Sequence, residues 1–329
     1  MLQTVTVGVI AYNEQKYLPD LLSDLLKQSY PKHLIELVLV DGKSTDETRM
    51  ILENFKVSHS SDYRRIVVQT NEKRIQPAGW NVVIQSFSSD ILIRIDAHAR
   101  IPEDFIEKNV DCINSGEFVC GGPRENIIDE DKPWKQMLLS AEQSMFGSGI
   151  ASYRNTTEER KNVKSVFHAA YRREVIEKVG LFNEDLIRTE DNEYHYRIRE
   201  AGYKICYDPS IKSYYQTRSS LKGMIRQKYQ NGLWIGRTIF VCPGCISLFH
   251  LAPAAFVIAI LFCLLLGALL SWIPMTALGV AYGLFLLFST VVSFVQKQQL
   301  MDLLMPFVIV TIHLAYGTGT LVGLIDRRR

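Results

Sequence analysis

The stretch RIDAHAR (94–100) places a carboxylate, Asp96, and an imidazole, His98, two positions apart, directly after the apolar run 91–93. In an extended chain, side chains at positions i and i+2 point to the same side, so both groups would project into one small volume. Carboxylate, imidazole and phosphate oxygens together suit Mn²⁺ or Mg²⁺. The alternative interpretation is a strand that ends in a polar loop, with His98 at the surface.

Two more acidic residues lie close after predicted strands. Glu14 comes shortly after VTVGVI (5–10), and Asp41 comes directly after IELVLV (35–40), with Gly42 behind it. At a strand tip, a carboxylate can accept hydrogen bonds from a base or a ribose. The sequence has neither a G-x-G-x-x-G turn after the first strand nor a P-loop, so a diphosphate bound here would need another counter-charge. A divalent cation held by Asp96 and His98 would supply it.

A third acidic cluster, TEDNE (189–193), comes just before a predicted helix. Acids in the first turn complement the helix dipole, and that is its structural interpretation. If a metal-bound sugar nucleotide is the substrate, however, the reaction also needs a base. A carboxylate near an acceptor hydroxyl can remove its proton as the sugar carbon is attacked.

The elements that must position these residues alternate between strand and helix. Apolar runs predict strands at 5–10, 35–40, 66–69 and 91–95, and helical spacing or capping predicts helices at 14–28, 44–55 and 77–86. The helix at 44–55 is assigned a capping box formed by Ser44 and Glu47. Further helices are predicted at 104–112, 134–145 and 190–201, and 168–179 is predicted as a strand end that runs into a helix. This alternation predicts an α/β fold with a mainly parallel sheet, in which ligands bind at the carboxyl ends of the strands.

The C-terminal part of the chain has a different composition. No Asp, Glu, Lys or Arg occurs from 238 to 296 or from 303 to 325. A membrane span needs about 20 apolar residues, so these stretches predict about three transmembrane helices, at 251–270, 275–295 and 303–325. We therefore expect a multi-pass membrane protein.

Between the two parts lies a segment with basic residues and no acid, from 209 to 237. Its part from 212 to 237 predicts an amphipathic interfacial helix that contacts anionic membrane lipids or a lipid-linked diphosphate. Positive flanks mark the cytoplasmic side, which places the N-terminal domain in the cytoplasm. The expected domains are 1–211, 212–245 and 246–329. A net charge of +2 gives no argument for a nucleic-acid partner.

Taken as a set, the motifs resemble inverting family 2 glycosyltransferases with the GT-A fold, in particular membrane glucosyltransferases of succinoglycan-type exopolysaccharide synthesis. The matching segments are VGVIAYNE (7–14), LVDGKSTDET (39–48), RIDAHA (94–99), HAAYRREVIEKVGLFNE (168–184) and TEDNEYHYRIREAGYKI (189–205). The Q-x-x-R-W signature of processive synthases is not intact, since the chain reads QKYQNGLW at 227–234.

The resemblance implies roles for individual residues. Those expected to bind the nucleotide are Ala11, Tyr12, Glu14, Asp41 and Asp96. The expected metal ligands are Asp96 and His98, where His98 replaces the last aspartate of the D-x-D motif. Asp191 corresponds to the general base, and Glu190 is expected to contact the acceptor.

The resemblance also implies a UDP-sugar donor, a lipid-linked saccharide acceptor and other polysaccharide-synthesis proteins as partners. Two alternatives stay open. One is a transferase that uses polyprenyl phosphate itself as the acceptor, and the other is a non-catalytic membrane scaffold that binds nucleotide-sugars.

Overall fold

A computed structural model of the chain describes residues 2–144, 158–217, 220–297 and 299–326. Two compact units make up the chain. The first comprises 1–125 and 152–216, and the second comprises 126–151 and 217–329. This division differs from the one expected around residue 211, because a segment after residue 125 belongs with the C-terminal helices.

Eleven strands form two sheets within the described part of the chain. They are β1 (Val5–Ala11), β2 (Ile35–Asp41), β3 (Arg65–Thr70), β4 (Ile91–Asp96), β5 (Ala99–Arg100), β6 (Val119–Gly122), β7 (Arg124–Ile127), β8 (Lys161–Val163), β9 (Phe167–Arg172), β10 (Ile205–Tyr207) and β11 (Ser213–Gln216). The large sheet has the order β3-β2-β1-β4-β9-β6-β10-β8, and the small one β5-β11-β7. Strands β1 to β4 are parallel, whereas β9 and β8 run antiparallel to their neighbours. The predicted mainly parallel sheet is confirmed.

The α-helices also follow the predicted order. They are α1 (Leu18–Leu26), α2 (Thr48–His59), α3 (Gln76–Ser86), α4 (Phe105–Asn114), α5 (Pro133–Gln143), α6 (Arg173–Val179), α7 (Glu190–Glu200), α8 (Leu221–Val241), α9 (Ala252–Leu269), α10 (Ile273–Lys297) and α11 (Met305–Ile325). The predicted capping box is wrong. Helix α2 begins only at Thr48, and the Ser44 hydroxyl accepts a hydrogen bond from the Asn13 N–H at 2.9 Å instead. The predicted helix end at Met145 lies outside the described residues.

Both faces of the large sheet are covered by apolar packing. Val5, Val7 and Val9 of β1 belong to one hydrophobic cluster, and Val38 and Val40 of β2 belong to the cluster on the other face. Strands buried on both faces read as continuous apolar runs, which is why the sequence predicted them well. Asp41 and Asp96 are the last residues of β2 and β4.

Among the residues that the structure describes, the second unit has three helices that are long and apolar enough to cross a membrane, as predicted. They cover Leu248–Leu269, Ile273–Val295 and Leu300–Ile325. Large apolar side chains such as Leu261, Leu284 and Phe288 are exposed on their surfaces. Lipid contact would remove this apolar surface from water.

Helix α8 packs closely against α11. Gly232 and Gly236 of α8 meet the backbone of α11, and Gly319 and Gly323 of α11 meet the backbone of α8. Small residues four apart allow two helices to approach at backbone distance. The contacts advance in the same direction along both helices, so the two run parallel, with an Arg237–Asp326 ion pair of 2.7 Å at one end.

This packing predicts that Gly319→Ala destabilises the second unit. The added Cβ would overlap the carbonyl oxygen of Tyr229, so the helices would have to separate. We expect a loss of about 1–3 kcal/mol, the usual range for overpacking, measured as a lower Tm in detergent. Gly279→Ala on α10 is the matched control, because nothing lies within 4 Å of its Cβ position. Equal Tm values for the two variants would contradict the packing argument.

Candidate active site

Three strand ends bring predicted site residues to one edge of the large sheet. Across the sheet, Ala11 pairs with Asp41, and Ile10 pairs with Asp96. Ala11, Asp41 and Asp96 therefore lie side by side at neighbouring carboxyl ends. Asp41 is buried and accepts a hydrogen bond from the Ser44 N–H at 3.2 Å.

The loop after β1 is fixed to the loop after β2. Asn13 adopts a left-handed conformation with φ of 54°, and its Oδ1 accepts a hydrogen bond from the Thr45 N–H at 2.8 Å. The Glu14 N–H donates to the Thr48 hydroxyl at 2.8 Å. Tyr12, which precedes Asn13 in this loop, is half exposed at the sheet edge and lies beside Gly42. An exposed aromatic ring on a rigid loop offers a stacking surface.

A pocket at the end of β4 brings together three of the predicted residues. Asp96, Glu190 and Asp191 all line it. The two acids of the pair are the first residues of α7, so the helix start positions them together. The other lining residues are Gln76, Trp80, Arg94, Val166, Phe167, His168 and Ala169. His98 is not part of this lining; its Nδ1 lies 2.9 Å from Oε1 of Glu14.

The pocket also contains His168, a residue that sequence reasoning missed. His168 is buried, has a left-handed φ of 47°, and has no hydrogen-bond partner for either ring nitrogen within the described residues. Its Nε2 lies 4.0 Å from Oδ2 of Asp96. Burial, helped by the positive charge of Arg124, lowers the pKa of His168 well below its usual value, so the ring is neutral. The segment that begins at His168 had been noted, but no role was given to its first residue.

The donor atoms in this region fit a divalent cation. No cluster of three His, Cys, Asp or Glu side chains is already arranged around one point in the ranges that the structure describes. However, Asp96 and His168 face each other, and Nε2 of His98 is also buried without a hydrogen-bond partner. One carboxylate and two imidazole nitrogens, completed by phosphate oxygens, form a set that suits Mn²⁺ better than Mg²⁺.

A buried arginine lies beneath the acidic residues. Arg94 of β4 lies between the rings of Trp80 and Phe182, at 4.3 and 4.7 Å from their centroids. Burial raises the pKa of both Glu190 and Asp191, while the Arg94 guanidinium works in the opposite direction. The pKa of Glu190 is raised further by its neighbour Asp191. Carboxylates with raised pKa values are suited to proton transfer near neutral pH.

The acidic helix start is anchored by a second buried histidine. His195 of α7 is hydrogen-bonded through Nδ1 to the Ser165 hydroxyl at 2.7 Å and through Nε2 to the Tyr171 hydroxyl at 2.9 Å. Burial lowers its pKa to about 3, so it is a neutral link between α7 and β9. Such a link fixes the direction in which the first residues of α7 point.

Comparison with known proteins agrees with this geometry. Residues 6–180, more than half of the chain, match the sequence model of glycosyl transferase family 2. The chain belongs to glycosyl transferase family 2 and is a glycosyltransferase.

Two curated relatives match almost end to end. Dolichyl N-acetyl-alpha-D-glucosaminyl phosphate 3-beta-D-2,3-diacetamido-2,3-dideoxy-beta-D-glucuronosyltransferase of Methanococcus voltae is 26% identical over 98% of this chain and 97% of its own. Succinoglycan biosynthesis protein ExoA of Rhizobium meliloti is 28% identical over 96% of this chain and 94% of its own.

Solved structures share the fold. Mannosyltransferase PcManGT from Pyrobaculum calidifontis, in complex with GDP-Man and Mn²⁺, has a TM-score of 0.65 at 18% identity and covers 96% of this chain and 87% of its own. S. aureus TarS 1–349 with UDP-GlcNAc has a TM-score of 0.52 at 16% identity, with coverages of 97% and 90%. At these identities the likeness shows the fold alone, and it confirms the predicted GT-A fold.

Proposed function

We propose that this protein is an inverting, metal-dependent glycosyltransferase that moves a sugar from a nucleotide-sugar, a UDP-sugar, to a lipid-linked glycan at the cytoplasmic face of the membrane. The observation that carries the proposal is the pocket that joins Asp96 and His168 to the acidic pair Glu190 and Asp191. That candidate metal ligands and a candidate base line the same pocket supports the proposal.

On the donor side, the nucleoside would lie along the edge formed by Ala11, Tyr12 and Asp41. Asp96, His98 and His168 would hold the cation, which when bound neutralises charge on the leaving diphosphate. Arg124 adds a fixed positive charge nearby, because its guanidinium lies between the rings of Phe167 and Tyr215, at 4.5 and 4.2 Å from their centroids, and its charge acts on His168.

On the acceptor side, Glu190 and Asp191 would have different roles. Glu190 holds its proton more firmly, since burial and the adjacent Asp191 both raise its pKa. Asp191 is then the carboxylate that ionises and takes the proton of the acceptor hydroxyl. The hydroxyl oxygen bonds to the sugar carbon as the bond to the diphosphate breaks, in one displacement that inverts the configuration at this carbon.

The membrane helices and the relatives support a lipid-linked acceptor. The Methanococcus voltae relative is named for a dolichyl-linked sugar phosphate acceptor, and the Rhizobium meliloti relative for succinoglycan biosynthesis. Three helices that could cross a membrane would hold the catalytic unit close to a lipid-linked substrate. Lys222 and Arg226, exposed on α8, add positive charge suited to anionic lipids. The same charge favours the cytoplasmic side.

The test uses the purified full chain in lipid nanodiscs. UDP- and GDP-sugars are supplied with Mn²⁺ or Mg²⁺, together with polyprenyl diphosphate-linked saccharides or polyprenyl phosphate. We expect UDP release that requires the saccharide-bearing acceptor, stops with EDTA and gives a product of inverted anomeric configuration. Release with polyprenyl phosphate alone would identify the other acceptor class. No metal-dependent release with any donor would contradict the proposal.

A further inference from the structure

The side chain of Glu14 lies against His98 rather than being free to face a nucleotide. Its Oε1 lies 2.9 Å from Nδ1 of His98, and both side chains are about four-fifths buried, with exposures of 19% and 20%. The two residues stand 84 positions apart in the chain. The resemblance to family 2 enzymes had suggested only a nucleoside contact for Glu14.

The hydrogen bond determines which nitrogen of His98 carries a proton. A carboxylate accepts hydrogen bonds, so Nδ1 of His98 must be the donor. In the neutral ring, Nε2 is then the acceptor and has its lone pair available. That Nε2 atom is buried and has no hydrogen-bond partner within the described residues. The pair therefore leaves the lone pair on Nε2 of His98 available for a ligand bond. His98 lies two positions after Asp96 in the chain.

Contacts from outside the pair hold the His98 ring and the Glu14 backbone. The edge of the His98 ring meets Tyr215, with ring centroids 4.8 Å apart and planes at 72°. Glu14 is held through its backbone N–H by the Thr48 hydroxyl. The Tyr215 contact restricts rotation of the His98 ring, and the Thr48 bond fixes the backbone from which the Glu14 side chain extends.

We propose that Glu14 is a positioning residue for metal binding: it fixes the tautomer and the plane of His98 so that Nε2 faces the divalent cation. This inference rests on the proposed function. Metal-binding histidines commonly donate their second N–H to a carboxylate, and loss of such a partner typically lowers metal affinity 10–100-fold.

The experiment measures the binding of Mn²⁺ to the full chain in detergent, by the electron paramagnetic resonance of free Mn²⁺ in the presence of UDP. Glu14→Ala should weaken Mn²⁺ binding about 10–100-fold. Glu14→Gln keeps a carbonyl acceptor for the Nδ1–H, so its affinity should stay closer to that of the wild type. Glu72→Ala, at an exposed position paired with Lys43, is the matched control and should leave the affinity unchanged.

A second set of measurements tests whether Glu14 positions His98, contacts the nucleoside, or acts only through its negative charge. UDP affinity in EDTA should be the same in wild type and Glu14→Ala, whereas a nucleoside contact would lower it and overturn the inference. Equal losses of Mn²⁺ affinity in Glu14→Gln and Glu14→Ala would show that only the negative charge matters, which also overturns it. Unchanged Tm values without metal would show that both variants fold.

The reference variants His98→Ala and His168→Asn distinguish the failure of the inference from the failure of the proposed function. If both lose Mn²⁺ binding and Glu14→Ala does not, the metal site stands and the positioning role falls. If neither loses Mn²⁺ binding, the metal site itself is wrong.

In metal-free [¹⁵N]histidine-labelled protein, His98 should show a protonated Nδ1 and an unprotonated Nε2; the opposite tautomer would overturn the inference.

Discussion

Asp191→Asn should lower the rate of sugar transfer by about 10²–10⁴-fold, the usual contribution of a general base, while binding of the nucleotide-sugar and Mn²⁺ is unchanged. The amide has nearly the shape of the carboxylate but cannot take the acceptor proton. The Asp191 carboxylate accepts a hydrogen bond from the Asn192 N–H at 2.8 Å, a contact that the Asn oxygen can retain. The measurement is UDP release under saturating donor and acceptor.

Glu190→Gln is the matched comparison within the same pocket. If Glu190 already holds a proton, its neutral amide is a close substitute, and we expect a smaller loss than for Asp191→Asn. Glu200→Gln, exposed at the other end of α7, should leave the rate unchanged. A larger loss for Glu190→Gln than for Asp191→Asn would reverse the two roles. Full activity in Asp191→Asn would mean that Asp191 is not the general base.

The strands were predictable because their signal is local. Strands β1, β2 and β4 are buried on both faces, so apolar runs marked them, and the polar residues that follow lie at one sheet edge because parallel strands end together. The three apolar helices were predictable from length and composition for a similar reason. In both cases a few consecutive residues carry the whole signal.

The remaining site residues depend on contacts between distant parts of the chain. His168 reaches Asp96 because the antiparallel strand β9 pairs with β4, an arrangement that an alternating strand–helix pattern does not predict. Glu14 meets His98 across 84 positions. Arg94 did have a local signal, since it lies two residues before Asp96 within an apolar strand and so points to the same side.

The failed capping box has a physical reason in the same contacts. The Ser44 hydroxyl accepts a hydrogen bond from the Asn13 N–H in the loop after β1, and α2 begins only at Thr48, so Ser44 lies outside the helix start. The loop after β2 is thereby used to hold the loop that carries Tyr12 and Glu14. Local helix-start chemistry was outweighed by the assembly of the site edge, as happens where function requires an irregular loop.

Removing the imidazole of His168 should have the second large effect. We expect His168→Asn to weaken Mn²⁺ binding by about a hundredfold, because loss of an outer partner alone typically lowers metal affinity 10–100-fold and His168 is a proposed direct ligand. Asn is chosen because it tolerates the left-handed backbone that His168 adopts, so the loop keeps its conformation. Transfer should fall at low Mn²⁺ and recover partly at high Mn²⁺, since the base is intact.

His33→Ala, an exposed histidine outside the pocket, is the control. Unchanged Mn²⁺ affinity in His168→Asn would mean that the 4.0 Å approach of His168 to Asp96 is a packing contact, and that the cation, if it binds, is held by Asp96 and His98 without it.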